Sequence, residues 1–402
     1  MYARLTLALF LIVSLATLPG CWSRKELNEL AVVMALGIDL HEEGYAVSAQ
    51  VMNPSETGTP KGNSLGSSPI VTYRSVGKTI PDALQRMLSV APRMLYLSHI
   101  RVLVFGEKLA RRGVSDALDF ISRSHQLRTD FFMLVAKNAE ASDILEVVTP
   151  FEHVPASSLY TSILISHRKW AATGKVTLQQ FVTELERGGS NPVLSGVRLR
   201  GSLADGESVD NLKEVTPKTL IQHAGLAVFK RDRLVGWLGE PASKAVNYLL
   251  NDVESTAGFV ACPGGGVVGY AVSRAKSKID VATGKDGKPE FTVKLKIEGD
   301  LNTVQCKIDL HQPSSIEEIE KRLELKFSGN VENHIEEAQK KYGSDIFGFG
   351  EALHRQNPKA WKQYRGDWDE RFKSVKIGVS ADVKVRRTGS IVQPLKREMN
   401  KR

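Results

Sequence analysis

Phe291-Thr-Val-Lys-Leu-Lys-Ile-Glu298 alternates apolar and polar side chains without a break, with Phe291, Val293, Leu295 and Ile297 on one side and Thr292, Lys294, Lys296 and Glu298 on the other. A period of two sends successive side chains to opposite faces, so one face meets a core and the other meets water, the mark of an antiparallel sheet. Val375–Val385 alternates in much the same way. Gly225–Phe229 and Leu234–Leu238 flank the polar turn Lys230-Arg-Asp-Arg233 and read as a hairpin. Such a sheet needs an apolar cover. Ile316, Ile319, Leu323, Phe327, Val331, Ile335, Ala338 and Tyr342 supply it as the stripe of one long helix over 315–342. Ser314 with Glu317, and Ser315 with Glu318, have capping-box spacing at its start. Gly329 costs about 1 kcal/mol relative to alanine and could mark a bend. This half is α+β.

Upstream, strand and helix signals alternate. Ala31–Leu40 and Tyr45–Met52 around His41-Glu-Glu-Gly44 read as a hairpin, and 57–68 as a Gly-, Ser- and Pro-rich surface loop. Val71-Thr-Tyr-Arg predicts a strand, and Pro81-Asp82 opens a helix with Ile80, Leu84, Met87 and Leu88 at helical spacing. Leu95–Phe105 reads as one buried strand. Val114, Ala117, Leu118 and Ile121 mark another helix, Phe131–Ala136 a strand, Ala141–Val148 a short helix, and 151–188 a helical stretch. Gly188–Pro217 reads as loop. The expected architecture is multi-domain: a mixed α/β N-terminal region over 21–200, a linker over 201–221, and the antiparallel sheet with its long helix over 222–402.

At the extreme N-terminus a basic Arg4 precedes the uncharged run Leu5–Leu18, which is too short to span a bilayer and has the layout of a secretory signal over 1–20. Leu18-Pro19-Gly20-Cys21 is similar to a bacterial lipobox, which implies a diacylglycerol on the Cys21 thiol and membrane attachment of the mature chain. The net charge of +9 falls to +8 once residues 1–20, which contain Arg4 and no acid, are removed. Basic residues are spread through the chain and locally dense only at Lys396, Arg397, Lys401 and Arg402. We read the charge as compatible with anionic headgroups and not as a nucleic-acid footprint. With Cys21 acylated, Cys262 and Cys306 remain. They could pair, but buried free thiols are the plainer expectation.

Several stretches resemble the C subunits of spore germinant receptors, the Ger(x)C lipoproteins. They are Cys21-Trp22, Glu26-Leu-Asn-Glu-Leu-Ala31, Gly37-Ile38-Asp39, Asn53-Pro54-Ser55, Leu95-Tyr-Leu-Ser-His-Ile100, Arg128-Thr-Asp130 and Leu134-Val-Ala-Lys137. The most specific is Asp345-Ile-Phe-Gly-Phe-Gly350, followed by Trp361-Lys362 and Asp367-Trp368. The resemblance implies a lipid-anchored, non-enzymatic subunit on the outer face of the inner spore membrane. Its implied partners are an A-type and a B-type subunit, in a complex that answers small nutrients. Scaffold, coupling element and direct ligand capture all stay open. A lipid-anchored solute-binding protein or envelope hydrolase is the alternative.

The sequence offers no catalytic constellation. Zinc-protease, P-loop, Cys-x-x-Cys and Gly-x-Ser-x-Gly motifs do not occur, and the nine histidines are dispersed, so neither a cofactor nor a metal is expected. His99 reads as a core or sheet histidine. Cys262-Pro-Gly-Gly-Gly266 has no following Lys-Ser/Thr. The aromatics Phe347, Phe349, Trp361 and Trp368 either form a small core or offer a partner-docking patch.

Overall fold

The computed structural model describes residues 2–4, 6, 29–52, 68, 70–152, 154–262 and 265–389. Cys21, most of the 1–20 leader, nearly all of the 57–68 loop and the basic tail lie outside them.

The first sheet collects β1 (Leu30–His41), β2 (Gly44–Met52), β3 (Ile70–Gly77), β4 (Met94–Tyr96), β5 (Val102–Gly106), β6 (Phe132–Ala136), β7 (Val193–Arg200), β8 (Leu220–Lys230) and β9 (Arg233–Leu238). Its order is β3-β2-β1-β5-β6-β7-β8-β9, with β4 alongside β1. β1, β5, β6 and β7 run parallel, and the flanking pairs are antiparallel. β5 and β6 are buried along their whole length, which is why Val102-Leu-Val-Phe-Gly106 and Phe132-Met-Leu-Val-Ala136 read as continuous apolar runs.

Helices cover both faces. α1 (Ile80–Met87), α2 (Glu107–Arg112) and α3 (Ser115–Arg123) share one core with the sheet, whereas α4 (Ala141–Glu146) and α5 (Pro155–Trp170) fill the other face with Ile144, Leu145, Leu159 and Ile163. α6 (Leu178–Arg187) returns to the first face through Leu178 and Phe181.

The second sheet is β10 (Thr256–Ala261), β11 (Val267–Thr283), β12 (Pro289–Val304) and β13 (Lys376–Arg387), in that order. α7 (Glu240–Leu249) precedes it, and α8 (Pro313–Glu337) packs along it with Ile319, Leu323, Val331 and Ile335 in the same buried core as Phe291, Val293, Leu295 and Ile297. A π-helical turn at Ala338–Tyr342 ends α8. α9 (Phe349–Gln356), α10 (Pro358–Tyr364) and α11 (Trp368–Phe372) then lead into β13. Among the described residues no helix is long and apolar enough to cross a membrane.

Several local expectations change. The Leu95–Phe105 run is not one strand: a 3-10 turn at Leu97–His99 separates β4 from β5 and leaves His99 exposed, outside both core and sheet. Val193–Arg200 lies within the stretch expected to be loop, yet it is a strand of the first sheet. The second sheet is antiparallel only through β12. β13 pairs with β12 in parallel, because the helices between them carry the chain back to the end where β12 began. The capping boxes do not form: Pro313 opens α8 and places both serines inside its first turn.

The hairpin β8–β9 hydrogen-bonds to β7. Its Leu226, Val228 and Leu238 also enter the core of the second sheet. The two layers therefore share a wall.

Candidate functional site

Among the described residues no three His, Cys, Asp or Glu side chains are placed to hold a metal. What stands out instead is a pair of buried aspartates, each lying in one of the sequence stretches singled out above.

Asp345 follows the π turn and is fully buried. Its Oδ1 accepts the backbone N–H groups of Phe347 (3.1 Å) and Gly348 (2.9 Å), and its Oδ2 accepts those of Gly350 (2.8 Å) and the Trp368 indole (3.0 Å). One carboxylate thus satisfies three backbone donors at the start of α9 and the indole N–H of Trp368 from α11, all of which would otherwise be orphaned. Its own carbonyl oxygen accepts the N–H of Asn191 at 2.6 Å. The Asn191 side chain in turn accepts from the Arg231 N–H (2.7 Å) and donates to Asp369 Oδ1 (2.9 Å).

Around this point the π turn and α9 are fastened to the first sheet. The Ser344 hydroxyl donates to the Phe229 carbonyl (2.6 Å), the Tyr342 hydroxyl to the Trp237 carbonyl (2.8 Å), and the Glu351 N–H to the Gly189 carbonyl (3.1 Å). The approach is close enough to demand glycine. A Cβ on Gly350 would sit 2.5 Å from the Gly189 oxygen, and one on Gly236 would sit 2.1 Å from the Tyr342 ring. Close approach is the reason for Gly350 at the end of the Asp-Ile-Phe-Gly-Phe-Gly stretch, whereas Gly348 is there for its left-handed backbone at φ 83°. A polar crevice of about 640 Å³ runs along the joint, lined by Asn191, Arg231, Arg365 and Asp369 among others.

Asp39 does the corresponding work inside the first sheet. Near the end of β1 its carboxylate accepts the N–H groups of Ala141 (2.7 Å) and Ser142 (3.2 Å) at the start of α4. A Cβ on Gly106 would lie 2.0 Å from Oδ1, so glycine at the end of β5 is what lets the carboxylate cross to α4.

Burial pushes both Asp39 and Asp345 up to about 6, against the pull of their N–H donors. An aspartate in the unfolded chain titrates at about 3.9. Between these values the folded chain holds the extra proton, so each group's contribution to stability falls as pH rises from about 4 to 6, by a few kcal/mol at most. Asp39→Asn and Asp345→Asn should each flatten the pH dependence of the urea midpoint in that window. A slope unchanged in both variants would show that neither carboxyl titrates there.

The aromatics expected to form either a core or a docking patch are core. Phe347, Phe349, Trp361 and Trp368 are all 5 % exposed or less. Phe291 of β12 packs edge-on to Phe349 and Trp368, and Trp361 packs edge-on to Trp368. Through Phe291 they join the core beneath β12. Cys262 and Cys306, expected as free thiols, are joined in a disulfide with their Cα atoms 5.9 Å apart. Cys21 lies outside the described residues. The sequence reading missed the structural duty of Asp39, Asn191 and Gly236. The Gly37-Ile-Asp39 and Asp345 stretches were noticed, but the partners of their carboxylates were not.

Comparison with known proteins adds an independent line. Residues 23–199 match the spore germination protein N-terminal domain, and 224–389 match the spore germination B3/GerAC-like C-terminal region. The chain is 29 % identical over 407 residues to spore germination protein KC of Bacillus subtilis (strain 168), covering 99 % of each chain. It is 23 % identical to spore germination protein B3 of the same organism, over 94 % of this chain and 96 % of that one. Among solved structures, the crystal structure of the GerBC protein superposes with a TM-score of 0.57 at 19 % identity, over 87 % of this chain and 96 % of that chain.

Proposed function

The chain belongs to the spore germination B3/GerAC-like family of receptor C subunits, and on that premise we propose that it is a lipid-anchored, non-enzymatic subunit of a nutrient germinant receptor. It sits on the outer face of the inner spore membrane and works with an A-type and a B-type subunit. The observation that carries the reading is the ordered pair of family matches across both sheets.

The anchor is supported by Leu18-Pro19-Gly20-Cys21 directly after the apolar leader run. Diacylglyceryl on Cys21 supplies two chains, enough for stable attachment. The Cys262–Cys306 disulfide favours an oxidising compartment outside the cytosol. The family matches at 23–199 and 224–389 support the expected division into 21–200 and 222–402 about a linker at 201–221, although β8 already begins at Leu220 and the β8–β9 hairpin completes the first sheet. With its two layers fastened at Asp345, the subunit serves as a scaffold or coupling element. A solute-binding protein would call for two similar lobes, and the two sheets here differ in size and strand direction.

The test is germination of spores lacking the gene, across a panel of amino acids, sugars and nucleosides, with wild-type or Cys21→Ala copies restored. We expect selective loss of the response to one nutrient class, rescued by wild type and poorly by Cys21→Ala. Full rescue by Cys21→Ala, with the variant still in the membrane fraction, would refute the anchor. Unimpaired germination on every nutrient would count against a receptor role.

A further inference from the structure

The chain downstream of Cys21 enters the first sheet at Leu30, nine residues on, a reach of at most about 30 Å when fully extended. Leu30 pairs directly with Met94 of β4. Around Met94 (43 % exposed) the surface carries two more large apolar side chains in water, Leu88 (47 %) and Val90 (63 %). Leu88 and Met94 line one shallow depression of about 290 Å³ together with Leu84, Leu97 and Phe120.

In the link from the end of α1 to β4, 88–93, Ala91 joins Met87 and Leu95 in the core, whereas Val90 is left exposed. Charge at the patch is mixed but suits a headgroup layer. Arg93 is exposed with no carboxylate partner among the described residues, and Arg86 is exposed beside Asp82. Glu29 is the acid at the chain's entry.

We infer that the end of the first sheet where β1 begins, presenting Leu88, Val90 and Met94 with Arg86 and Arg93, rests in the lipid–water interface beside the anchor. The inference builds on the lipid-anchored reading above. Exposed apolar side chains rimmed by arginines partition into the headgroup boundary, and a tether within about 30 Å holds them at high effective concentration there. The consequence is a fixed orientation. The β1–β2 turn at the other end of β1, about 36 Å away at strand rise, points from the membrane into the space where partner subunits or ligand would be met.

The experiment uses the mature chain carrying its native lipid, reconstituted in phosphatidylglycerol–phosphatidylethanolamine vesicles. Leu88→Cys, Val90→Cys, Met94→Cys and, in the β1–β2 turn, Glu43→Cys are each labelled with an environment-sensitive fluorophore. With Cys21 acylated and the disulfide intact, the introduced thiol is the one that reacts. Blue-shifted emission and loss of signal to doxyl-labelled lipid at 88, 90 and 94, with neither at 43, is the expected result. Vesicle-bound protein whose label at 90 behaves like that at 43 would overturn the orientation and leave the anchor standing. Wild-type protein that fails to float with vesicles, as Cys21→Ala should fail, would instead overturn the anchor and this inference with it.

Discussion

Asp345→Ala should lower the stability of the folded chain by about 3–5 kcal/mol, among the largest effects of any single substitution here. The estimate rests on four donors. The N–H groups of Phe347, Gly348 and Gly350 and the Trp368 indole would lose their acceptor inside a site sealed from water. Each orphaned donor costs about 1–3 kcal/mol, and relief from burying a charged carboxylate offsets part of the sum. Asp345→Asn is the sharper variant. Its amide oxygen can keep two donors, but its NH2 must then face the other two, so an intermediate loss is expected.

Urea unfolding followed by tryptophan fluorescence reads both variants, since Trp368 is itself one of the partners. A loss below about 1 kcal/mol in Asp345→Ala would mean that the donors find water or other acceptors, and that the joint is not held by this carboxylate. The functional corollary concerns coupling. α9 and the π turn touch the first sheet through Ser344, Tyr342, Asn191 and Asp345, so loosening Asp345 should let the second sheet move against the first. Spores carrying a folded but weakened variant such as Asp345→Asn should then germinate more slowly than spores with reduced amounts of wild-type subunit.

What was legible in the sequence was whatever repeats at short range. The strand at 291–298 and the apolar stripe from Ile316 to Tyr342 declare themselves by period, the hairpin at 31–52 by two apolar runs about a polar turn, and the structure has all three. Val193–Arg200 hid because Ser195 and Gly196 interrupt its apolar run. Ser195 is buried and bonds both the N–H and the carbonyl of Gly174, and Gly196 makes room for the Trp237 ring. Neither reason is local. Alternation reports a sheet with one wet face, which is commonly antiparallel, but it does not fix the direction of each strand, so the parallel pairing of β13 was not readable from its pattern.

The joint was legible only as a string of letters. Asp39 finds its donors about a hundred positions away at Ala141 and Ser142, and Gly236 owes its identity to the Tyr342 ring. Resemblance located Asp39 and the Asp345 stretch, but not Gly236. Geometry gave the reason: a buried carboxylate that serves several backbone N–H groups tolerates little substitution, because every alternative side chain leaves a donor unpaired.

Removing the Cys262–Cys306 bond is the second large effect, about 2–4 kcal/mol, and it reports on compartment as well as on stability. The two cysteines lie 44 positions apart, a loop for which the chain-entropy argument gives about 4 kcal/mol. They close one end of the second sheet. Cys262 follows β10, Cys306 follows β12, and between them the Gln305 N–H donates to the Val267 carbonyl at the start of β11. β10 is an edge strand, so without the bond it should fray first. In Cys262→Ser/Cys306→Ser, hydrogen exchange should accelerate over 256–261 and 267–272 while β5 and β6 keep their protection. Alkylation of protein taken from spores decides the chemistry directly. No modification at 262 or 306 before reduction, and two after it, is the expected result. Two reactive thiols without reductant would show that the bond does not form in place, and would withdraw the support it gives to a location outside the cytosol.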